Sequence, residues 1–337
     1  MKKICFLLIL TLFIWAAHPA QAEMKKLGQA GMTFLSIGGS ARAAGMANVF
    51  DWAQNDLGSV FYNPAGLATV ENRAIFFNYT QWIADMSVSH FAISWNSGSY
   101  GVFALHAQLM DYGDFEGTVI ANNADGYADV DVGDVSAMSI GIGYGIKLTD
   151  QFAIGGNIKF VSQKLGITDT YVSNALEEKG KANEISDVAF DFGTSFNTGF
   201  RSLMLTMSIR NYASKQLYEN EEFQLPQTYK IGIAADLWQM FDTGLGEDQT
   251  AMLAIEGVDS QSHPEFVNFG LEYGMMHMLS LRLGWSTAQS VDGIGGFGAG
   301  AGFKLDTGSF VGNVDVSYSD YGSILGEVLR FSLSGSF

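Results

Sequence analysis

Apolar and polar residues alternate along the chain in segments of about ten positions. In the last segment Leu329, Phe331 and Leu333 alternate with polar residues, and the chain ends on Phe337. Because side chains on a strand point alternately to its two faces, this pattern predicts strands with one apolar and one polar face.

Fourteen such segments follow one another to the end of the chain. They lie near 73–81, 86–96, 99–110, 135–148, 151–166, 186–197, 201–212, 227–238, 249–259, 264–274, 278–288, 293–304, 309–320 and 324–337. Bacterial membrane barrels have an even number of antiparallel strands, with long outer loops and short periplasmic turns. The long links 111–134, 167–185 and 213–226 all fall on one side, and 239–248 is the single exception to this rule.

The predicted fold class is an all-β, membrane-spanning antiparallel β-barrel of about 14 strands. Only 16% of residues are charged, against about a quarter in soluble domains, and the chain has 40 glycines and 13% aromatic residues. The alternative, a soluble periplasmic β-sandwich, requires polar outer faces. It is disfavoured because one face of nearly every segment carries Leu, Ile, Phe or Met.

The first residues have the features of a secretory signal peptide. Lys2 and Lys3 precede an apolar run at 4–17, and Ala20 and Ala22 form a small-residue exit, which predicts a cleaved signal at 1–22. The run is too short for a membrane anchor, and no later run of 18 apolar residues follows. An exported chain without spanning helices and with alternating strands is predicted to reside in the bacterial outer membrane, in contact with its lipid and lipopolysaccharide.

Composition excludes several classes of function. The chain has 18 basic against 35 acidic residues, a net charge of −17, so we expect no nucleic-acid partner. Its single cysteine, Cys5, lies in the predicted signal. Neither an HExxH zinc motif nor a GxSxG nucleophile motif is present. We therefore predict no enzymatic activity and no cofactor.

Residues 23–72 do not alternate and are predicted to form a compact unit ahead of the barrel, which takes up 73–337. This N-terminal segment contains glycines, an Ala-rich stretch after Ser40 and a turn signal at Asn63-Pro64. Its size suits a plug in the barrel lumen. The alternative is an exposed periplasmic linker, which is disfavoured because Phe34, Phe50 and Phe61 are apolar.

The N-terminal segment also resembles a known family. "GGSARAAGMANVF" followed by "SVFYNPAGLA" is similar to the N-terminal signature of the PorV/PorQ outer-membrane barrels, which are related to the FadL-type (OmpP1/FadL/TodX) transporters. The resemblance continues in "FQLPQTYKIGIA" and "NFGLEYGMMHMLSLRLGW". It implies a fourteen-stranded barrel with an N-terminal hatch, whose motif corresponds to Asn63, Pro64, Ala65, Gly66 and Leu67.

Two functions follow from the resemblance. PorV-like members take part in type IX secretion, so the first expectation is a role in the secretion or handling of exported proteins, with secretion components as partners. FadL-like members transport long-chain fatty acids or other hydrophobic small molecules, which implies a ligand in the barrel and a sideways exit through a kinked strand. A barrel that only scaffolds envelope partners is a third possibility.

Ionisable residues occupy the face that is predicted to point inward. They are Lys159, Asp191, Arg210, Glu256, Glu272, Arg282, Asp315 and Arg330. Their mixed signs favour a paired network that fills the lumen and docks the hatch, and a polar conduction path is the alternative. A glycine-rich run at 293–300 is predicted to let another backbone approach closely.

Two further signals lie at the C-terminus and in one loop. The apolar residues Leu329, Phe331, Leu333 and Phe337 look like the signal read by the barrel assembly machinery, an expected partner. The loop 111–134 holds seven acidic and no basic residues. A solvated loop and a site for divalent ions, such as calcium or ions that bridge lipopolysaccharide, both remain open.

Overall fold

The computed structural model describes residues 30–120, 124–172, 175–218, 220–242, 244, 248–288 and 296–337. The predicted signal peptide lies outside these ranges. The strands are β1 Ala74–Gln81, β2 Ser87–Asn96, β3 Val102–Asp111, β4 Glu116–Ile120, β5 Tyr127–Asp131, β6 Val135–Lys147, β7 Phe152–Val172, β8 Ala175–Asn197, β9 Met204–Tyr212, β10 Gln216–Tyr218, β11 Glu221–Phe223, β12 Thr228–Asp236, β13 Gln249–Ser260, β14 Phe266–Met275, β15 Leu279–Ser286, β16 Phe297–Asp306, β17 Val311–Asp320 and β18 Glu327–Ser336. The helices are α1 Ala41–Ala44, α2 Leu237–Phe241 and α3 Gly322–Leu325, with 3₁₀ turns at Thr33–Ser36, Leu57–Phe61, Pro64–Thr69 and Gly98–Tyr100.

Fourteen of the strands in the described ranges form one closed antiparallel barrel. Strands that follow one another in sequence are neighbours in the wall, while the hairpins β4–β5 and β10–β11 stand outside it. The barrel closes where β1 meets β18, with Ala74 opposite Ser336 and Gln81 opposite Leu329. The predicted fold class and strand number are confirmed.

The prediction of a loop at 167–185 is wrong, because most of this link continues two strands. β7 and β8 contain 21 and 23 residues and pair as far as Val172 opposite Ala175. A strand crosses a membrane in about 9–11 residues, so both strands of this hairpin are about twice as long as the membrane requires. Outside lipid both faces of a strand meet water, and the alternation that reveals a membrane strand disappears.

The other long links contain short elements. The links 111–134 and 213–226 hold the hairpins β4–β5 and β10–β11, and they lie at the same end of the barrel as the β7–β8 tip. We call this end the outer rim and the end where β1 begins the inner rim. The exceptional link, 239–248, begins within α2 at the inner rim, and its residues 243 and 245–247 lie outside the described ranges.

Apolar side chains cover the outside of the wall. Ile93, Ile142 and Ile231 are 50%, 58% and 68% exposed, as expected for a surface that lipid covers. Stacked rings, such as Trp95 on Phe103, lie on the same surface. Among the described residues, no helix has the length and apolarity needed to cross a membrane.

The four residues of the predicted assembly signal lie on this outer surface. Leu329, Phe331, Leu333 and Phe337 are all exposed, and the Phe337 backbone N donates to the carbonyl of Arg73, 3.0 Å away. Their recognition by an assembly machinery remains a prediction.

The N-terminal segment, described from residue 30, fills the lumen. At the outer rim the Gly31 N donates to the Gln224 carbonyl over 2.9 Å. At the inner rim the Asn96 side chain donates to the Val70 carbonyl over 2.8 Å. Phe50 and Leu67 are fully buried between these points. The segment therefore runs the length of the barrel, and an exposed linker is ruled out for residues 30–72.

Candidate functional site

The motif Asn63 to Leu67 forms a capped 3₁₀ turn that is tied to the wall. The Asn63 side-chain oxygen accepts from the Ala65 backbone N over 3.0 Å, and Pro64 takes the first position of the turn. The Asn63 amide donates to the carbonyls of Asp51 and Thr194, each 3.1 Å away. One side chain thus joins two parts of the N-terminal segment to β8.

Glycines on the inner face of the wall leave room for this turn. A Cβ added at Gly155 would lie 2.2 Å from the Pro64 carbonyl oxygen, and one added at Gly193 would lie 1.9 Å from the Asn63 side-chain oxygen. No side chain larger than hydrogen fits at either position unless the turn moves. Sequence analysis did not single out these two glycines.

We expect Gly155→Ala to loosen the docked turn. The added methyl overlaps backbone and not a flexible side chain, so the loss of stability should be about 1–3 kcal/mol. The measurement is the thermal unfolding midpoint of the refolded barrel.

Gly156→Ala is the matched control for this variant. Gly156 follows directly on the other face, and the nearest atom to its added Cβ is the Asp191 carbonyl oxygen at 3.2 Å. Equal midpoints for the two variants would contradict tight docking at Gly155.

The N-terminal segment also packs against glycines on the opposite wall. A Cβ at Gly284 would lie 2.2 Å from the Ala47 backbone N, and one at Gly298 would lie 2.5 Å from the Ala44 carbonyl oxygen. The Cα of Gly45 would lie 3.2 Å from a Cβ at Gly300. For Gly298 and Gly300, the predicted close approach of a second backbone is confirmed.

All eight predicted lumen residues are less than a tenth exposed, and three ion-pair clusters contain six of them. In the first cluster Arg282 contacts Glu272 at 2.5 Å and Asp315 at 2.6 Å. Arg42 of the N-terminal segment donates to both Glu272 oxygens at 2.6 and 2.8 Å and to Asp56 at 2.9 Å.

Arg42 was not predicted as a site residue, although it is the one charge in an Ala-rich stretch. Burial disfavours its cation, but the carboxylates of Glu272 and Asp56 outweigh that effect and raise its pKa. This arginine therefore remains charged and links α1 to β14.

The second cluster joins the segment to β12 and β13. Lys230 contacts Glu256 at 2.8 Å and donates to the Asn48 carbonyl at 2.9 Å. The other Glu256 oxygen accepts from the Asp51 backbone N at 2.8 Å. Lys230 and Asp51 were not predicted. The alternation of Lys230 with Tyr229 and Ile231 was a signal that could have placed it on the inner face, whereas Asp51 lies in the N-terminal segment, where no alternation marks a face.

The third cluster lies on β7, β8 and β9. Lys159 pairs with Asp191 at 2.8 Å, and Asn157 donates to Asp191 and to the Val60 carbonyl, both at 2.9 Å. Arg210 donates to the Phe61 carbonyl. Within the described part of the chain, neither Arg210 nor Arg330 makes an ion pair.

A cavity of about 370 Å³ lies at the outer end of the lumen. It separates the N-terminal segment from the wall formed by β12 to β17. Its walls combine aromatic, hydroxyl and cationic side chains, among them Tyr62, Trp82, Arg210, Lys230, Ser260 and Tyr321. This mixture of apolar surface and a few polar groups is typical of a small-molecule site.

A second cavity of about 20 Å³ adjoins the first and has a mixed polar and apolar lining. His90, His106, Lys159 and Asp191 line it. Ile37 and Arg210 line both cavities and so form the boundary between them. The smaller cavity has room for about one water molecule, so it gives the outer cavity no wide continuation past Ile37 and Arg210.

The structure gives no support for a metal site. Across the ranges with described placement, no three His, Cys, Asp or Glu side chains group as metal ligands would. The loop 111–134 forms the hairpin β4–β5, and binding of divalent ions there remains a prediction.

Solved structures share this architecture. They include CymD, a monoaromatic hydrocarbon channel (TM-score 0.57, 10% identity), the Pseudomonas putida toluene transporter TodX (0.56, 10%) and a Pseudomonas aeruginosa FadL homologue (0.53, 11%). Each match covers 89% of this chain and 98% of the other. The fold is that of the FadL-type transporters. No protein-family model and no curated protein matches the sequence.

These likenesses support the FadL-related part of the sequence resemblance. The PorV/PorQ part has no support among them and rests on the sequence motifs alone. The kinked strand that a FadL relationship implies is not found among the first strands, because β1, β2, β3 and β6 pair without a register shift.

Proposed function

We propose that this protein is an outer-membrane channel that admits small hydrophobic molecules. The carrying observation is the 370 Å³ cavity between the N-terminal segment and the wall, at the rim that bears the long loops. The lipid-facing apolar surface and the predicted signal peptide support the outer-membrane location. Two of the similar solved structures are a monoaromatic hydrocarbon channel and a toluene transporter.

The two cavities support passage in two stages. A molecule first binds in the outer cavity, where aromatic and polar side chains surround it. Ile37 and Arg210 then separate it from a space of about 20 Å³, which is too small for an organic molecule. Passage therefore requires the N-terminal segment to move, and this requirement gives the segment the role of a hatch.

Secretion of exported proteins, the first function expected from the sequence, becomes the less supported one. No contact among the described residues favours it, and the neighbours named above do not include a secretion protein.

A bulky residue in the outer cavity tests the channel function. Ser260 is buried at the outer end of β13 and lines the cavity. In cells that depend on this protein, we expect Ser260→Trp to lower uptake of radiolabelled toluene by about tenfold or more, because the indole occupies the space that the ligand needs.

Ser89→Trp is the matched control, because Ser89 lies on the outside of β2, opposite Tyr79. Equal toluene uptake by the Ser260→Trp and Ser89→Trp variants would contradict the proposal. If cells without the protein take up toluene normally and retain exported proteins in the periplasm, the secretion role is the correct one.

A further inference from the structure

Arg210 is a buried cation whose charge is not balanced by a contact. It is 8% exposed and lines the outer cavity. Its Nη1 donates to the Phe61 carbonyl, and its buried Nε has no hydrogen-bond partner. In the described part of the chain no carboxylate lies within ion-pair distance of it. Such a group calls for an explanation, because buried polar atoms are nearly always paired.

A β-bulge holds Arg210 in this position. Phe190 pairs with Tyr212, but Phe192 pairs with Ile209, so two residues of β9 face one residue of β8. Bulges of this kind re-aim side chains and are frequent next to functional sites. Here the two consecutive residues Arg210 and Asn211 are both buried on the inside of the wall.

The neighbours of the bulge are already paired and do not neutralise Arg210. Asn211 has φ 57°, which asparagine tolerates better than most residues. Its side chain accepts from Lys159 over 2.6 Å and its backbone N donates to Asp191 over 2.8 Å. Asp191 is thus bound by Lys159, Asn157 and Asn211, and Arg210 is left directed at the cavity.

The aromatic surroundings of Arg210 do not replace an anion. The Tyr62 ring lies 5.6 Å from the guanidinium carbon and is also 5.6 Å from the Lys230 Nζ. The stabilisation from a cation–π contact is smaller than the desolvation free energy of a buried charge, so these contacts offset only part of it. Trp82 and Tyr321, packed edge to face at 5.2 Å, add further ring surface to the cavity.

We propose that the outer cavity binds an aromatic carboxylate, with the carboxylate on Arg210 and the ring among Tyr62, Trp82 and Tyr321. A guanidinium with free N–H groups is the preferred partner of a carboxylate. The inference rests on the proposed channel function and narrows its substrate class.

Equilibrium dialysis of the full-length barrel in nanodiscs provides the test, with 2-naphthoate and naphthalene as probes and protein-free nanodiscs as the reference. We expect naphthoate to bind about tenfold more tightly than naphthalene, because only naphthoate forms a charge-assisted hydrogen bond. Arg210→Gln should abolish this preference. Arg201→Gln, at an exposed turn residue that contacts the Met240 carbonyl, should retain it.

The outcomes separate this inference from the channel function. If both probes bind equally and Arg210→Gln changes nothing, the carboxylate assignment is overturned while the channel function stands. If neither probe binds, the carboxylate assignment and the channel function are both contradicted. If decanoate binds as tightly as naphthoate and depends equally on Arg210, the aromatic part of the assignment is wrong. A heat-modifiable band for each variant confirms that the barrel has folded.

Discussion

Deletion of residues 23–67 is expected to raise the single-channel conductance of the reconstituted barrel about tenfold or more, because wide barrels enclose water once nothing fills them. The helix α1 and the 3₁₀ turns of the N-terminal segment contact β1, β2, β3, β6, β7, β8, β16, β17 and β18. Several inner wall positions are glycines that add no side chain to the lumen. Without the segment this space becomes continuous from rim to rim.

The matched control is deletion of residues 116–131, which removes the hairpin β4–β5 outside the wall. Conductance of this variant should stay close to that of the intact protein. Heat-modifiable mobility establishes that each barrel has closed. A closed barrel that lacks 23–67 and conducts like the intact protein would overturn the assignment of the segment as a hatch.

Arg42→Gln should detach α1 from the wall and produce transient openings in an otherwise closed channel. The substitution removes three hydrogen bonds to Glu272 and Asp56. Glu272 keeps Arg282 as a partner, whereas Asp56 loses its ion pair with Arg42. Breaking a buried pair costs about 3–5 kcal/mol. Since the Arg42 side chain is 20% exposed, we expect about 2–3 kcal/mol.

Conductance recordings and the thermal midpoint measure the two effects of Arg42→Gln. Arg42→Lys should restore part of both, because it keeps the charge but loses the two-pronged contact. Arg73→Gln, at an exposed arginine just before β1, is the control and should resemble the unmodified protein. Openings that are equally frequent in the Arg42→Gln and Arg73→Gln variants would show that the Arg42 cluster does not hold the segment.

Alternation was sufficient to predict the wall. A strand with lipid on one side and a polar lumen on the other has different residues at odd and even positions, so Leu329 and Arg330 reveal their faces at once. The same argument placed the eight predicted inner charges, although it was not applied to Lys230, which is buried on the inner face of β12. It failed for the tip of β7–β8, because these two strands continue beyond the length that crosses a membrane.

The sequence did not predict which side chains contact each other within the lumen. The partner of Glu272 is Arg42, 230 positions earlier in the chain, and no local pattern relates the two. The bulge that turns both Arg210 and Asn211 inward changes the two-residue period at a single point. The outer cavity is bounded by the N-terminal segment and by β12 to β17, so its existence depends on how these distant parts dock.

The seam between β1 and β18 has a consequence for the order of events during assembly. β1 directly follows the N-terminal segment, and β18 comes after the other thirteen wall strands in sequence order. Until these two strands pair, the curved sheet has an open side through which the segment can settle sideways onto its glycines. Afterwards the only entrance is lengthwise through a rim. We therefore expect the N-terminal segment of a newly exported chain to dock before β1 pairs with β18 and closes the barrel.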